Sequence, residues 1–209
     1  LKGLERVVIA SNNPGKLREL QAMLAPLGIE AVPQSEFAVH EAEEPHDTFL
    51  ENALAKARHA AVKTGIPALA DDSGLCVPAL FGAPGVHSAY YAGREGTREE
   101  RDARNNAKLV EQLRATPDRA AFYYCVLVLV RSRHDPTPMV AEGEWHGDIA
   151  LEPRGTHGFG YDPHFVTVFG KTAAEMPPEA KNRVSHRARA LGMLAMKLGN
   201  PPPDPSPRP

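Results

Sequence analysis

Two adjacent carboxylates, Asp71 and Asp72, stand after a short apolar run, Ile66-Pro67-Ala68-Leu69-Ala70, and before Ser73-Gly74 and a second apolar piece, Leu75-Cys76-Val77. The first run reads as a buried strand that ends at the pair. Neighbouring carboxylates repel each other, and burial disfavours their charged forms. Such a pair persists where something positive sits against it. Mg²⁺ is the default partner, because it takes oxygen ligands and needs only one or two carboxylates beside substrate phosphates. The same Asp-Asp-Ser-Gly types also favour a turn, and in isolation the stretch reads as one.

A second candidate site lies near the start. Arg6 to Ala10 reads as a buried strand, followed by Ser11-Asn12-Asn13-Pro14-Gly15-Lys16 and then a helix with Leu17, Leu20, Met23, Leu24 and Leu27 at helical spacing, stopped by Gly28. Strand, glycine loop, lysine and helix form a phosphate cradle: backbone N–H groups and the helix N-terminus face the anion, and the lysine adds charge. The loop is not a Walker A motif, since its first glycine is missing and Leu17 stands where Ser or Thr would follow Lys16. The other reading is a polar turn with a surface lysine.

A third stretch, 155–165, sets Gly155, Gly158 and Gly160 among Phe159, Tyr161 and Phe165. Glycines there let backbone approach a flat ligand, on which Phe159 or Tyr161 could stack; a tight turn with core aromatics is the plainer alternative. Lys181, Ser185, His186 and Arg187 gather near the start of a helix expected over 178–198. Basic groups normally disfavour a helix N-terminus, which points to a bound anion or carbonyl oxygen.

The remaining elements must position these groups. Thr48 to Glu51 matches a capping box and opens a helix with Phe49, Leu50, Ala53, Leu54, Ala57 and Ala61 as its apolar stripe. Asn52, Lys56, His59 and Lys63 form another row, either solvated or with Asn52 and Lys56 turned into a site. Residues 98–115 read as a charged surface helix. Ala121 to Val130 is a central strand covered on both sides, Met139 to Trp145 its partner, and Gly147 to Leu151 a continuation after a bend. The acidic run Glu41-Ala42-Glu43-Glu44 belongs to a loop.

The net charge of −2 over 209 residues offers no basic field for nucleic acid or anionic membrane. No apolar run is long enough to span a bilayer, and no signal-peptide pattern opens the chain. Cys76 and Cys125 lie in apolar runs with no metal spacing, which fits a cytoplasmic setting. The proline-rich stretch 201–209 is expected to be an extended, flexible tail.

Taken together, six stretches resemble the inosine triphosphate pyrophosphatase family: Ser11 to Lys16; Phe49-Leu50-Glu51-Asn52-Ala53 with Lys56-Ala57; Ala70-Asp71-Asp72-Ser73-Gly74-Leu75; Gly82-Ala83-Pro84-Gly85; Gly158-Phe159-Gly160-Tyr161-Asp162-Pro163; and Lys181 with Ser185-His186-Arg187. They follow the family's order along nearly the whole chain. One departure stands out: Tyr90 occupies a position where the family usually has arginine.

The resemblance implies an α/β fold with an elongated mixed sheet flanked by helices, a single domain over 1–200 in two lobes with a central active-site cleft, and a homodimer. It implies hydrolysis of non-standard purine nucleoside triphosphates (ITP, XTP and their deoxy forms) to the monophosphate and pyrophosphate. Asp72 would be Mg²⁺ ligand and general base, with Glu43 as the second acidic partner ahead of Asp71 or Glu44. Ser11, Asn12, Asn13, Pro14, Gly15, Lys16 and Lys56 would hold the triphosphate, and Ser73 would cap the site. Phe159 would stack on the base, within the loop of Gly160 and Tyr161. Asp162, Lys181, His186 and Arg187 would position the nucleoside. The rival readings are a pyrophosphatase for pyrimidine nucleotides, a nucleotide-binding regulator without catalysis, and a purely structural domain.

Overall fold

The computed structural model describes residues 4–199; the proline-rich stretch 201–209 lies outside them. The strands are β1 (Arg6–Ile9), β2 (Glu30–Pro33), β3 (Ala68–Cys76), β4 (Ala120–Val130), β5 (Met139–Ile149) and β6 (Phe165–Thr167). The helices are α1 (Pro14–Leu24), α2 (Phe49–Thr64), α3 (Arg98–Leu113), α4 (Pro178–Val184) and α5 (His186–Lys197). Among the described residues the strands form one six-stranded mixed sheet in the order β2-β1-β3-β4-β5-β6. β1 pairs in parallel with β2 and β3, and every pair from β3 to β6 is antiparallel. The expected mixed sheet with flanking helices is present.

Strand parity distributes the core. On β4, Cys125, Leu127 and Leu129 join a cluster with Leu20, Leu24, Leu191 and Leu194 from α1 and α5. The alternate residues Val126, Val128 and Val130 pack on the other face with Ala53, Ala57, Ala60 and Ala61 of α2. Those small side chains let α2 lie close to Ala68 and Ala70 of β3. A third cluster, with Tyr123, Trp145, Phe165, Leu109 and Leu113, fills the other end of the long β4–β5 hairpin and anchors α3.

Four sequence expectations change. The Asp71-Asp72 pair is neither a strand end nor a turn. β3 runs through it, in unbroken register with β4 from Ala68↔Val130 to Cys76↔Phe122, because side-chain cations satisfy both carboxylates. β5 continues without a bend through Gly143 and Gly147. At Gly143 an added Cβ would lie 2.2 Å from the His186 carbonyl oxygen, so the glycine admits the start of α5 against the strand. The expected C-terminal helix is two helices, broken at Ser185, whose extended backbone and side chain cap α5 through Ala188 N–H. Leu50, placed on the apolar stripe of α2, is exposed.

Capping also differs in detail. At Thr48 the hydroxyl accepts from Glu51 N–H and itself meets the Glu51 carboxylate. The full reciprocal box is instead at Thr97 and Glu100, where it starts α3. α1 begins at Pro14, earlier than its leucine spacing suggests, because Asn13 caps it.

Candidate active site

A cleft of about 710 Å³ collects the sequence candidates. Its lining brings together Ser11, Asn12, Asn13, Pro14 and Lys16 with Glu43, Glu44, Lys56, Asp72 and Ser73 and with Phe159, Gly160, Tyr161, Asp162, Lys181, His186 and Arg187. Gly15 lies directly beneath the Phe159 ring: a Cβ there would be 2.6 Å from ring carbons. The cradle loop and the aromatic loop, far apart in sequence, thus touch across the cleft.

The cradle's backbone donors are all engaged. Asn13 Oδ1 accepts from Gly15 N–H and Lys16 N–H at 3.0 and 3.1 Å, Ser11 Oγ accepts from Asn13 N–H, and the Glu41 carboxylate accepts from Asn12 N–H at 3.0 Å. Glu41 therefore places an anionic group where the loop would meet a phosphate.

Asp72 projects to the α2 side of the sheet. Its Oδ1 accepts from Lys56 Nζ at 2.8 Å, and the same ammonium pairs with Glu44. Burial raises the Asp72 pKa despite Lys56, whereas Lys56, although buried, is pushed further towards its charged form by Asp72 and Glu44. Asp72 Oδ2 has no protein partner among the described residues. Asn52, buried beside Lys56, grips the backbone of His46 through both amide atoms at 3.0 Å and so ties the acidic loop to α2. The row that could have been solvated turns inward at Asn52 and Lys56: both are buried, Asn52 against the His46 backbone and Lys56 against Asp72 of β3.

Asp71 projects to the opposite side. It is fully buried, bound by Lys16 Nζ at 2.5 Å and Arg187 Nε at 2.8 Å, and accepts from the Cys125 thiol at 3.1 Å. Burial alone would raise its pKa; Arg187 and Lys16 overcome that and hold it well below the usual carboxylate range. Arg187 also pairs with Glu19 and donates to Ser73 Oγ at 3.0 Å. Lys181 joins Glu19 at 3.1 Å to Asp162 at 2.6 Å. One buried network thus runs from the cradle helix to the aromatic loop.

In that loop Asp162 is a structural hub: its carboxylate accepts from Phe159 N–H at 2.9 Å, Lys181 and Tyr123 OH. Gly160 N–H donates to Asp102 at 3.0 Å. Tyr161 sits in the core, with its hydroxyl donating to the Ser88 carbonyl at 2.8 Å. Of the two candidate stacking rings, Phe159 is the one left partly exposed. His186 is buried and stacked on Tyr123 at 4.7 Å. Burial, with Arg187 and Lys181 nearby, keeps its pKa well below the histidine range, so the ring is neutral. Its Nδ1 is buried without a partner. An unpaired lone pair is commoner in protein interiors than an orphaned N–H, which favours the single proton on Nε2, and the residue lines the cleft.

As for a metal, Asp72, Glu44 and Glu43 offer the hard carboxylate oxygens that Mg²⁺ takes. Among the described residues no cluster of three or more His, Cys, Asp or Glu forms a ready cage. The fit rests instead on the free Asp72 Oδ2 and on the Glu43 and Glu44 carboxylates that line the same cleft. The residues present fit the ion.

Sequence reasoning missed Glu19 and Arg98. Glu19 lies one turn after Lys16 on α1, a spacing that could have marked it. Arg98 sits in a charged helix and carried no signal. Its guanidinium donates to Asn13 Oδ1 at 2.6 Å and lies over Phe159, 4.7 Å from the ring centre. The unusual Tyr90 is flanked by Arg94 and Arg101, at 4.3 and 5.6 Å from its ring centre.

A mixed α/β sheet whose cleft joins a glycine-lysine loop, a carboxylate–lysine pair and a cation-flanked aromatic ring defines a class of proteins suited to phosphate-bearing aromatic ligands. The chain belongs to the Ham1 family, whose model matches residues 7–197. It is 65% identical over 195 residues to the dITP/XTP pyrophosphatase of Burkholderia pseudomallei, covering 93% of each chain. It is 64% identical over 196 residues to that of Bordetella pertussis, covering 93% of this chain and 92% of the other. Among solved structures, a HAM1 protein from Coxiella burnetii superposes with a TM-score of 0.84 at 48% identity, covering 93% of this chain and 98% of that one. The Staphylococcus aureus Ham1 protein gives 0.80 at 37% identity with the same coverage.

Proposed function

We propose that this chain hydrolyses non-standard purine nucleoside triphosphates, dITP/ITP and dXTP/XTP, to the nucleoside monophosphate and pyrophosphate. The observation that carries the reading is Asp72: a buried carboxylate with a raised pKa and one free oxygen, between a phosphate-type loop and an aromatic ring. The kinship with dITP/XTP pyrophosphatases supports the choice of substrate.

The triphosphate occupies the Ser11–Lys16 loop, displacing the Glu41 carboxylate from Asn12 N–H. Lys16 and Lys56 face its charge. A water beside Asp72 Oδ2 gives up a proton to that carboxylate as its oxygen bonds to the α-phosphorus. The bond from the α-phosphorus to the bridging oxygen breaks, and pyrophosphate leaves with that electron pair. A raised pKa suits a general base. Phe159 receives the base, and His186 Nε2–H donates to a six-oxo group. Arg187 and Lys181 hold this end in place through Asp71, Glu19 and Asp162. Asp72 and Glu43, with Glu44 beside them, would hold Mg²⁺, which when bound offsets phosphate charge and polarises the phosphoryl group.

A homodimer in the cytoplasm completes the reading. Phe81 is fully exposed, at 102%, beside the 82–85 turn, and an aromatic so placed suits a second copy. Among the described residues no helix is long and apolar enough to cross a membrane.

The test is pyrophosphate release from ITP, XTP, GTP, ATP and CTP with Mg²⁺ and with EDTA. Release from ITP and XTP, lost in EDTA, is expected. Preference for CTP would favour a pyrimidine enzyme, and no release from any nucleotide would overturn hydrolysis.

A further inference from the structure

We propose that Arg98 is a substrate-binding residue that supplies a loosely paired positive charge for the triphosphate; this rests on the nucleotide-hydrolysing reading above. Lys16 is paired with Asp71, Lys56 with Asp72 and Glu44, Lys181 with Asp162 and Glu19, and Arg187 with Asp71 and Glu19. These cations are already matched by carboxylates, so alone they present little net charge to a strongly anionic ligand.

Arg98 differs. Its nearest carboxylate, Asp102, is 3.7 Å away on the same helix, and a quarter of its side chain is exposed, at 26%. Its Nη1 donates to Asn13 Oδ1, the atom that also caps Gly15 N–H and Lys16 N–H. The guanidinium and the first N–H groups of α1 thus converge on one oxygen. A phosphate oxygen replacing that amide oxygen would meet the same three donors, and a guanidinium fork matches phosphate geometry. Arg98 also lies over Phe159, at the seam between the cradle and the base platform. Arg94 and Arg101, which line the cleft beside it, have no carboxylate within 4 Å among the described residues and extend the positive edge.

The experiment compares wild type, Arg98→Ala and Arg98→Lys in Mg²⁺, measuring kcat and KM for XTP, the inhibition constant of inorganic tripolyphosphate, and the melting temperature. Charged hydrogen bonds of this kind correspond to roughly a 10- to 100-fold effect. Arg98→Ala should raise KM and the tripolyphosphate constant together by that factor. Its kcat should stay within about threefold and its melting temperature unchanged, and Arg98→Lys should recover part of the loss. Unchanged KM and tripolyphosphate inhibition would overturn the proposal. So would a fall confined to kcat, which marks Arg98 as a brace for Asn13. A lower KM would instead identify Arg98 as a plug on Phe159. An inactive wild type sinks the hydrolytic reading and this inference with it; an active wild type with an indifferent Arg98→Ala sinks this inference alone.

Discussion

Asp71 and Asp72 share a peptide bond but point to opposite faces of β3. Asp71 lies opposite Leu127 and is locked by Lys16 and Arg187, while Asp72 lies opposite Val126 and faces Lys56 and the cleft. Successive strand residues alternate between faces. The repulsion expected of adjacent carboxylates is relieved by separation across the sheet and by a cation for each. This separates a structural aspartate from the one proposed to do the chemistry, and their substitutions should fail in different ways.

Asp72→Asn keeps the shape of the side chain and removes the base. Turnover of XTP should fall ~10²–10⁴-fold, with nucleotide binding retained in titration calorimetry. A variant within a few-fold of wild-type kcat removes Asp72 from the proton transfer.

Asp71→Asn should chiefly destabilise. It strips Arg187 and Lys16 of a buried carboxylate, and breaking a buried pair in this way costs about 3–5 kcal/mol. Urea unfolding should show the loss. Stability equal to that of Asp72→Asn would contradict the division of roles.

Stability should fall in two stages as pH drops. Folded His186 has a depressed pKa, so the unfolded chain binds its proton first, and stability declines below about 6.5. Asp71 and Glu19 resist protonation in the fold. For each, burial acts the other way but is outweighed, by Arg187 and Lys16 for Asp71 and by Arg187 and Lys181 for Glu19. Their contribution is present above the ordinary carboxylate pKa of about 4 and is lost as pH falls below it. Asp72, with its raised pKa, has the opposite sign: its contribution is complete below the ordinary value and fades as pH rises through the raised one. Melting curves from pH 8 to 3 should show both acid stages, and His186→Phe should remove the upper one. A flat profile between pH 7 and 5 would show that His186 is not held neutral.

Base selection should depend on His186 more than on Arg187, whose guanidinium is buried and already bound to Glu19, Asp71 and Ser73. His186→Phe retains the stack on Tyr123 and loses the Nε2–H donor. The ratio of kcat/KM for ITP over ATP should drop by about tenfold or more. Arg187→Ala should lower stability, as Asp71→Asn does. An unchanged ratio in His186→Phe would move six-oxo recognition to backbone groups near Phe159.

Local signals in the sequence marked most of what lines the cleft. Glycine, proline and asparagine placed the 11–16 and 158–163 loops, helical spacing placed α1 to α3, and apolar continuity placed β4, because each depends on residues a few positions apart. Local signals did not decide which carboxylate reaches the cleft, since that parity is set by the register of β3 on β4 and no turn interrupts it. Nor did they reveal that the helix breaks at Ser185, that Tyr161 belongs to the core, or that Asp162 holds its own loop. The ion pairs were least legible. Arg187 meets Asp71 across 116 residues, and Arg98 meets Asn13 across 85. A charged side chain looks the same in sequence whether it faces water or a buried partner. Only the packing of α5 and α3 against the sheet removes the water and supplies the partner, so the tertiary structure alone decided which charges are buried braces and which face the cleft.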